Sequence, residues 1–356
     1  MHGLSKGAFW ALSFVKSAQQ GYLIMKSAGF LVAFVCLFGM PAVSHAGAIA
    51  DPVALKQRLE ALVKGKDGRV GICAQDQSGM MVCIRGEERF SLQSVVKLIV
   101  GAAVFDAADR GLADLKEPIV VKPENLSLSV QPLAKIVERE GVFQTNADDL
   151  VRRAIVDSDS AAVDILIERL GGPAKVDQFA EGKGILGIRI DRDERHLQTE
   201  TVGLRWKPDY VDAKVLQKAM KAVPEAERDA AFEAYQKDPR DTATPRAMTA
   251  FLAALMNGKL LATGSTQRLL AIMGETVTFP DRLRAGTGAG WSVAHKTGTS
   301  RTWKGVNAAT NDVGILTAPD GGKIAVAVFV ADSRETPTQR SAIIAGAAQA
   351  VTEAYR

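Results

Sequence analysis

Histidine and cysteine are scarce in this chain of 356 residues, which has 4 histidines and 3 cysteines. Beyond the first 46 residues only His196, His295, Cys73 and Cys83 remain, and their positions show no spacing typical of a metal site. This scarcity argues against a zinc hydrolase. A Ser-His-Asp triad would have to use one of the two remaining histidines, which restricts that possibility sharply.

A strong excess of charge of one sign is also missing. The formal net charge is +4, but without the first 46 residues 41 basic residues face 40 acidic ones. No basic field remains that would favour nucleic acid as a partner. Because 47% of the residues are hydrophobic, we expect a globular protein of one or two domains.

The first 46 residues are typical of an export signal. Lys26 precedes the apolar run 29–40, and residues 44–46 have the small-x-small pattern of a signal-peptidase site. The run is too short for a membrane span, although a retained membrane anchor is the alternative. We therefore predict that residues 1–46 are removed, with Met1 or Met25 as the start of translation. The mature protein is expected in the periplasm or outside the cell.

The pattern of apolar residues predicts strands at both ends of the chain and helices between them. Asp51 followed by Pro52 is typical of a helix start. Strands are predicted at 70–74, 80–84, 291–295, 312–317 and 323–330, a mostly helical region at 94–275 and a closing helix at 338–355. We therefore predict an α/β (α+β) fold, with an antiparallel sheet flanked by terminal helices. Residues 47–90 and 276–356 would form the sheet domain, and residues 91–275 an inserted all-α domain.

Three short motifs carry the candidate chemistry. Ser94 and Lys97 form a Ser-x-x-Lys motif at the start of an apolar helical stretch, so both side chains lie on the same face one turn apart. Further motifs are Ser-Asp-Ser at 158–160 and His-Lys-Thr-Gly-Thr at 295–299. A serine hydroxyl needs a base to act as a nucleophile, and two lysines can supply proton transfer without a histidine. A Lys-Thr-Gly strand edge can bind a carboxylate and an oxyanion.

In this order and context the motifs resemble those of the class A serine β-lactamases. The resemblance runs from about residue 51 to residue 356, and the segments 295–300 and 311–315 are most similar to the extended-spectrum branch that contains the PER and VEB enzymes. It implies that Ser94 is the acylated nucleophile and Lys97 its proton partner. Ser158, helped by Lys296, would protonate the departing β-lactam nitrogen.

The resemblance also implies the substrate contacts. The backbone amides of Ser94 and Thr299 would bind the oxyanion, and Thr297, Thr299 and Arg282 the substrate carboxylate, although Arg282 as a surface cation is the alternative. Gly298 belongs to the same substrate-binding strand. His295 is interpreted as structural.

Glu194 is the implied base for deacylation. Residues 194–198 resemble the family's Glu-x-x-Leu-Asn segment, with Gln198 in place of the Asn that helps to hold the hydrolytic water. The alternative is a solvated glutamate in the charged run 191–195.

Two features depart from the family pattern. Ser160 replaces the usual Asn among the substrate contacts, and we interpret it as a cap of the following helix. The family's short loop is closed by an Arg-to-Asp ion pair and would here extend from Arg192 to Asp241. Its regularly spaced apolar residues predict one or two helices rather than disorder. We expect Arg192 and Asp241 still to pair at the base of this loop, with Glu194 near Ser94.

The two mature cysteines lie in the predicted hairpin. In a three-residue turn Cys73 and Cys83 would be directly opposite each other, and export would permit oxidation. A disulfide and two buried thiols are both possible. Because antiparallel pairs often lack suitable bridge geometry, we favour the thiols.

The resulting prediction is a monomeric β-lactamase without cofactor or metal. Its substrates would be penicillins and cephalosporins, with no nucleic acid and no stable membrane association after signal cleavage. A D,D-peptidase-like penicillin-recognising enzyme is the first alternative, against which Glu194 argues. A β-lactam-binding sensor that is acylated but not turned over is the second, favoured by Ser160 and the enlarged loop.

Overall fold

The computed structural model describes residues 47–355, so the predicted export signal lies outside the described part. Its helices are α1 Pro52–Val63, α2 Val96–Asp109, α3 Ala134–Glu140, α4 Ala147–Val156, α5 Ser160–Leu170, α6 Pro173–Gly182, α7 Glu194–Glu200, α8 Ala213–Ala222, α9 Glu225–Lys237, α10 Pro245–Met256, α11 Thr263–Gly274 and α12 Pro337–Glu353. Its strands are β1 Arg69–Asp76, β2 Met81–Ile84, β3 Phe90–Ser91, β4 Ile119–Val121, β5 Phe143–Thr145, β6 Ile188–Arg189, β7 Thr242–Ala243, β8 Ser292–Thr299, β9 Thr302–Trp303, β10 Val306–Asn307, β11 Thr310–Thr317 and β12 Lys323–Ala331. Short 3₁₀ turns occupy Gln93–Val95, Pro123–Asn125, Pro208–Val211 and Leu283–Gly286.

The main sheet joins the two ends of the chain. Its five strands lie in the order β2-β1-β12-β11-β8, and all neighbouring pairs are antiparallel. Asp51 caps α1 by accepting a hydrogen bond from the backbone of Ala54, and Pro52 is the first helical residue. Both the antiparallel sheet and the helix start were predicted from the sequence, and both are confirmed.

The sheet is buried on both faces, as the central strand β12 illustrates. Its side chains alternate between two hydrophobic clusters: Ile324, Val326, Val328 and Val330 belong to one, and Ala325, Ala327, Phe329 and Ala331 to the other. The first cluster includes residues of the terminal helices α1 and α12, and the second includes residues of α2, α4, α5, α10 and α11. Terminal helices therefore flank the sheet as predicted, and the mixed α/β fold is confirmed.

The two cysteines of the hairpin form a disulfide. Cys73 and Cys83 are paired in the register of β1 and β2, as the turn length predicted, but they are bridged rather than reduced. The preference for two free thiols was wrong. Their Cα atoms lie only 4.2 Å apart, close to the short end of the range that a disulfide spans.

The described residues 47–355 belong to one compact unit. The division into a sheet domain and an inserted helical domain therefore stays a prediction. Among residues 47–355, no helix has both the length and the apolar character required to cross a membrane.

The long segment between Arg192 and Asp241 is folded, as predicted. Helices α8 and α9 occupy much of it, and Leu216 on α8 is buried against Tyr210 and Leu128. Arg192 Nε donates to Asp241 Oδ2 at 2.6 Å, so the expected ion pair at the base of the loop is present.

Candidate active site

Ser94 lies in the 3₁₀ turn that leads directly into α2. The preceding Gln93 has a φ of 47°, a left-handed conformation that non-glycine residues rarely adopt. Ser94 is half-buried, and its position at the start of a helix places its backbone at the positive end of the helix dipole.

Lys97 is the second residue of α2, one turn after Ser94, and its side chain contacts residues of three other segments of the site. Its Nζ donates to Ser94 Oγ at 3.1 Å, to Ser160 Oγ at 3.1 Å and to the carbonyl of Ser158 at 2.7 Å. The same Nζ lies 3.2 Å from Glu194 Oε1. Lys97 is 1% exposed, so these protein oxygens replace bulk water around its ammonium group. One buried amine thus contacts Ser94, Ser158, Ser160 and Glu194.

Ser158 and Lys296 form a second pair of this kind. Ser158 adopts a φ of 59° between α4 and α5, and Lys296 Nζ on β8 donates to its Oγ at 3.0 Å. Burial and the positive charge of Lys97 lower the pKa of Lys296 well below its usual value. Its proton is therefore held less tightly than that of a solvated lysine.

Ser160 does not cap α5, in contrast to the interpretation from the sequence. Asp159 is the cap, because its side chain accepts from the backbone of Ala162. Ser160 is the first helical residue, and its hydroxyl points to Lys97. The residue that replaces the family's usual Asn therefore contacts Lys97.

Strand β8 is one of the two edge strands of the main sheet, and Gly298 allows it to pass close to the Ser94 turn. A Cβ atom on Gly298 would lie 2.7 Å from the carbonyl oxygen of Leu92, a contact too short for any side chain. Glycine at this position therefore allows Thr299 to approach the nucleophile. Thr297 is buried, and its hydroxyl lies 2.7 Å from that of Thr278.

Arg282 is buried behind Thr299 rather than exposed on the surface. It is 3% exposed, donates to Thr299 Oγ1 at 2.8 Å and to the carbonyl of Asn311 at 2.9 Å, and stacks on Phe279. Burial lowers its pKa to about 10. The surface-cation alternative is therefore wrong.

His295 Nδ1 lies 2.9 Å from Asp312 Oδ1, and both residues are fully buried.

Glu194 is the first residue of α7 and is 3% exposed, which rules out the solvated alternative. Its Oε2 accepts from Gln198 Nε2 at 3.2 Å, one helical turn further on. Its Oε1, next to Lys97, accepts no hydrogen bond from the described residues. This oxygen can therefore accept a proton or a hydrogen bond from another group.

Asp164 on α5 holds the start of α7 in place. Its Oδ1 accepts from the backbone N–H of Glu194 at 2.8 Å, and its Oδ2 accepts from Ser127 Oγ at 2.5 Å. Burial, together with the negative charges of Asp193 and Glu194, raises the pKa of Asp164 to about 8. The neutral form would reduce the repulsion that a second buried carboxylate exerts on Glu194.

Ser94 lies in the wall of a groove. Its walls include Lys97, Ser160, Glu194, Gln198, Thr299, Ser300 and Arg301. Helices α2, α5 and α7 and the end of β8 thus meet at one groove. Within residues 47–355 no group of three or more His, Cys, Asp or Glu side chains is arranged to hold a metal ion.

Sequence reasoning missed three residues of this region. Tyr235 on the inserted helix α9 accepts from Gln93 Nε2 in a short hydrogen bond, and its hydroxyl lies 2.7 Å from Ser91 Oγ. Gln93 Oε1 in turn accepts from Gln198 at 3.3 Å. Asp164 is the third. Asp164 could have been noticed in the sequence as a carboxylate within an otherwise apolar helical stretch. Nothing in the sequence marked Gln93 or Tyr235 as part of the site.

The β-lactamase enzyme family matches this chain over residues 54–355. The chain belongs to this family. It is 31% identical to the extended-spectrum β-lactamase PER-1 of Pseudomonas aeruginosa, over 84% of this chain and 87% of that protein. Its identity to β-lactamase VEB-1 of the same organism is 28%, over 87% of this chain and 93% of the relative. The resemblance to the PER and VEB branch is thereby confirmed.

Solved structures agree with the family assignment. A β-lactamase from Chitinophaga pinensis superimposes with a TM-score of 0.69 at 28% identity, over 84% of this chain and 98% of that one. The reconstructed class A β-lactamase of the last common ancestor of Gram-negative bacteria gives a TM-score of 0.67 at 32% identity, over 85% and 99%. The fold predicted from the sequence is thus that of class A β-lactamases.

Proposed function

We propose that this protein hydrolyses β-lactams through an acyl-enzyme on Ser94, with Glu194 activating the hydrolytic water. The observation that carries the proposal is the position of the Lys97 amine, which lies within 3.2 Å of both Ser94 Oγ and Glu194 Oε1. The nucleophile and the base are thereby connected by one buried proton carrier.

In the first step Ser94 Oγ attacks the lactam carbonyl carbon. Glu194 takes a proton from Lys97, and the neutral amine accepts the hydroxyl proton of Ser94 as the new C–O bond forms. The backbone amides of Ser94 and Thr299 stabilise the negative charge on the carbonyl oxygen.

The C–N bond of the lactam then breaks, and the nitrogen needs a proton. Ser158 Oγ donates it and is resupplied by Lys296, which donates to it at 3.0 Å. The lowered pKa of Lys296 favours this transfer, because a buried ammonium gives up its proton more readily than a solvated one.

Deacylation uses the same carboxylate, after the proton that Glu194 took during acylation has been transferred to the neutral Lys296 amine, which restores the charge of both groups. Glu194 accepts a proton from water while the oxygen of that water attacks the ester carbonyl, and Ser94 leaves with a proton returned through Lys97. Gln198 holds Glu194 Oε2 and leaves Oε1 available. A general base of this kind contributes about 10²–10⁴-fold to the rate.

The substrate carboxylate is assigned to the end of β8. Thr297 and Thr299 supply hydroxyl groups, and Arg282 contributes positive charge through its hydrogen bond to Thr299. Gly298 keeps the strand close to Ser94, and Ser160 and Gln198 line the groove beside it.

The two alternatives differ in what they predict for Glu194. A D,D-peptidase-like enzyme does not require a buried glutamate next to the serine motif. A sensor that is acylated without turnover would require the enlarged loop to displace Glu194, whereas the Glu194 carboxylate is 3.2 Å from Lys97. We therefore favour turnover.

We also propose that the protein is exported and acts as a monomer in the periplasm or outside the cell. Residues 29–40 and 44–46 support export, and an N-terminus at Gly47 of protein recovered from the periplasm or medium would test it.

A chromogenic cephalosporin tests the activity itself. The purified protein should hydrolyse it catalytically, and Ser94→Ala should neither hydrolyse it nor gain the mass of the drug. A single stoichiometric burst by the unmodified protein would favour the sensor, and no reaction would refute the proposal.

A further inference from the structure

A second cavity, the insertion chamber, lies beside the Ser94 groove. The two cavities share Gln93, Gln198, Ser300 and Arg301 as walls, so the chamber opens onto the groove. A substrate acylated on Ser94 could therefore extend a substituent into it.

The remaining walls come largely from the inserted segment and from the turn after β8. Met220 lies on α8, Arg228 and Phe232 lie on α9, and Trp303 lies on β9. Phe232 and Trp303 are only partly buried, so both rings retain exposed surface. The chamber thus combines aromatic surface with two guanidinium groups, those of Arg228 and Arg301.

Neither arginine has a carboxylate within 4.0 Å among the described residues. The guanidinium carbon of Arg228 lies 3.9 Å from the centroid of the Trp303 ring, and Arg301 Nη1 lies 3.2 Å from the sulfur of Met220. An aromatic face and a thioether are weak, uncharged partners. Most N–H donors of both groups are therefore free to bind an anion.

The acidic residues nearby already have other partners. Lys304 pairs with Asp229 at 2.7 Å and with Glu225 at 2.6 Å, and Trp303 Nε1 donates to Asp229 at 2.8 Å. Desolvation and the neighbouring charge of Arg228 lower the pKa of Arg301. The carboxylates of Asp229 and Glu225 are thus ion-paired with Lys304 rather than with Arg228 or Arg301.

We propose that the insertion chamber receives the acylamino side chain of the β-lactam and selects side chains that carry both an aromatic ring and a carboxylate. This inference rests on the proposed function. The side chain is attached to the carbon next to the carbonyl that Ser94 attacks, so it begins within one bond of the groove that opens into the chamber. The ring packs against Phe232 and Trp303, and Arg228 and Arg301 bind the carboxylate.

Three penicillins that differ only in the charge next to the same phenyl ring test this selection. Benzylpenicillin is neutral there, α-carboxybenzylpenicillin carries a carboxylate and α-aminobenzylpenicillin carries an ammonium group. We expect kcat/KM to be highest for the carboxylate and lowest for the ammonium. The double variant Arg228→Gln/Arg301→Gln should reduce the ratio of carboxylate to neutral substrate by about tenfold, the effect of one charge-assisted contact.

Lys218→Gln is the matched control, because Lys218 is an exposed cation on α8 outside the chamber. It should leave the substrate ratio unchanged. Hydrolysis of benzylpenicillin by the unmodified protein shows that the proposed function holds, whatever the ratio. A ratio near one in that protein, or an equal loss for all three penicillins in the double variant, would overturn the inference. So would a carboxylate preference that survives in the double variant.

Discussion

Arg192→Ala should destabilise the protein strongly, because it removes the cation at the base of the enlarged loop. Arg192 contacts three carboxylates: Nε lies 2.6 Å from Asp241, Nη1 2.7 Å from Glu200 and Nη2 3.1 Å from Asp238. Glu200 and Asp238 keep a second partner in Arg240. Asp241, however, has no other cation within 4.0 Å among the described residues.

Most of the expected loss of stability therefore comes from Asp241, which is left without a cation. It is 3% exposed and would retain only the backbone N–H groups of residues 191 and 192 as donors. Leaving a buried charge without its partner costs about 3–5 kcal/mol. For a chain of this size the midpoint of thermal unfolding should fall by roughly 5–8 °C.

Thermal unfolding followed by circular dichroism measures this effect, with Arg189→Ala as the control. Arg189 pairs with Asp191 on the exposed surface beside the same loop, so its loss should hardly change the midpoint. Arg192→Ala should also deacylate more slowly, because Glu194 lies only two residues after Arg192 and its position depends on the same loop. If Arg192→Ala unfolded within a degree or two of Arg189→Ala, the ion pair would not be what closes this loop.

Three further predictions concern the surroundings of Ser94. Gly298→Ala should lower the acylation rate without preventing folding of the sheet, because the new methyl group would collide with the Leu92 carbonyl; unchanged pre-steady-state acylation would contradict this. Asp164→Asn should flatten the pH dependence of the free energy of unfolding. The pKa of Asp164 is about 8 in the folded protein and 3.8 ordinarily, so this residue makes the protein less stable as the pH rises from about 4 to 8. Chemical denaturation at several pH values measures this effect, and an equal pH dependence in the variant would refute it. Tyr235→Phe removes the acceptor of Gln93 and should slow turnover without changing secondary structure, whereas an unchanged kcat would show that this contact has no catalytic effect.

Local features could be predicted from the sequence because short-range geometry determines them. Ser94 and Lys97 are one helical turn apart whatever the rest of the fold does, and the turn between β1 and β2 places Cys73 opposite Cys83. Whether two opposed cysteines form a bond depends on the separation and orientation of their side chains. Register alone does not determine these, and the expectation of free thiols was therefore wrong.

Contacts between distant segments were harder to predict. Gln93 and Tyr235 are 142 residues apart, and they meet only because α9 packs beside the nucleophile. Likewise, the pKa of Asp164 depends on burial and on the position of Glu194, neither of which a helical pattern contains. The Arg192–Asp241 pair could be predicted despite the long insertion, because the entropic cost of bringing the ends of a loop together grows only slowly with its length.

The central claim is that Glu194 supplies the base for deacylation, and intact-protein mass spectrometry of Glu194→Ala tests it most directly. Acylation should be slower in this variant, because Lys97 loses the carboxylate that accepts its proton, but Lys97 remains within reach of Ser94, so the protein should still gain the mass of an added penicillin. The adduct should persist, because no base remains to activate water. If Glu194→Ala hydrolysed the drug at the rate of the unmodified protein and no adduct accumulated, Glu194 would not be the base.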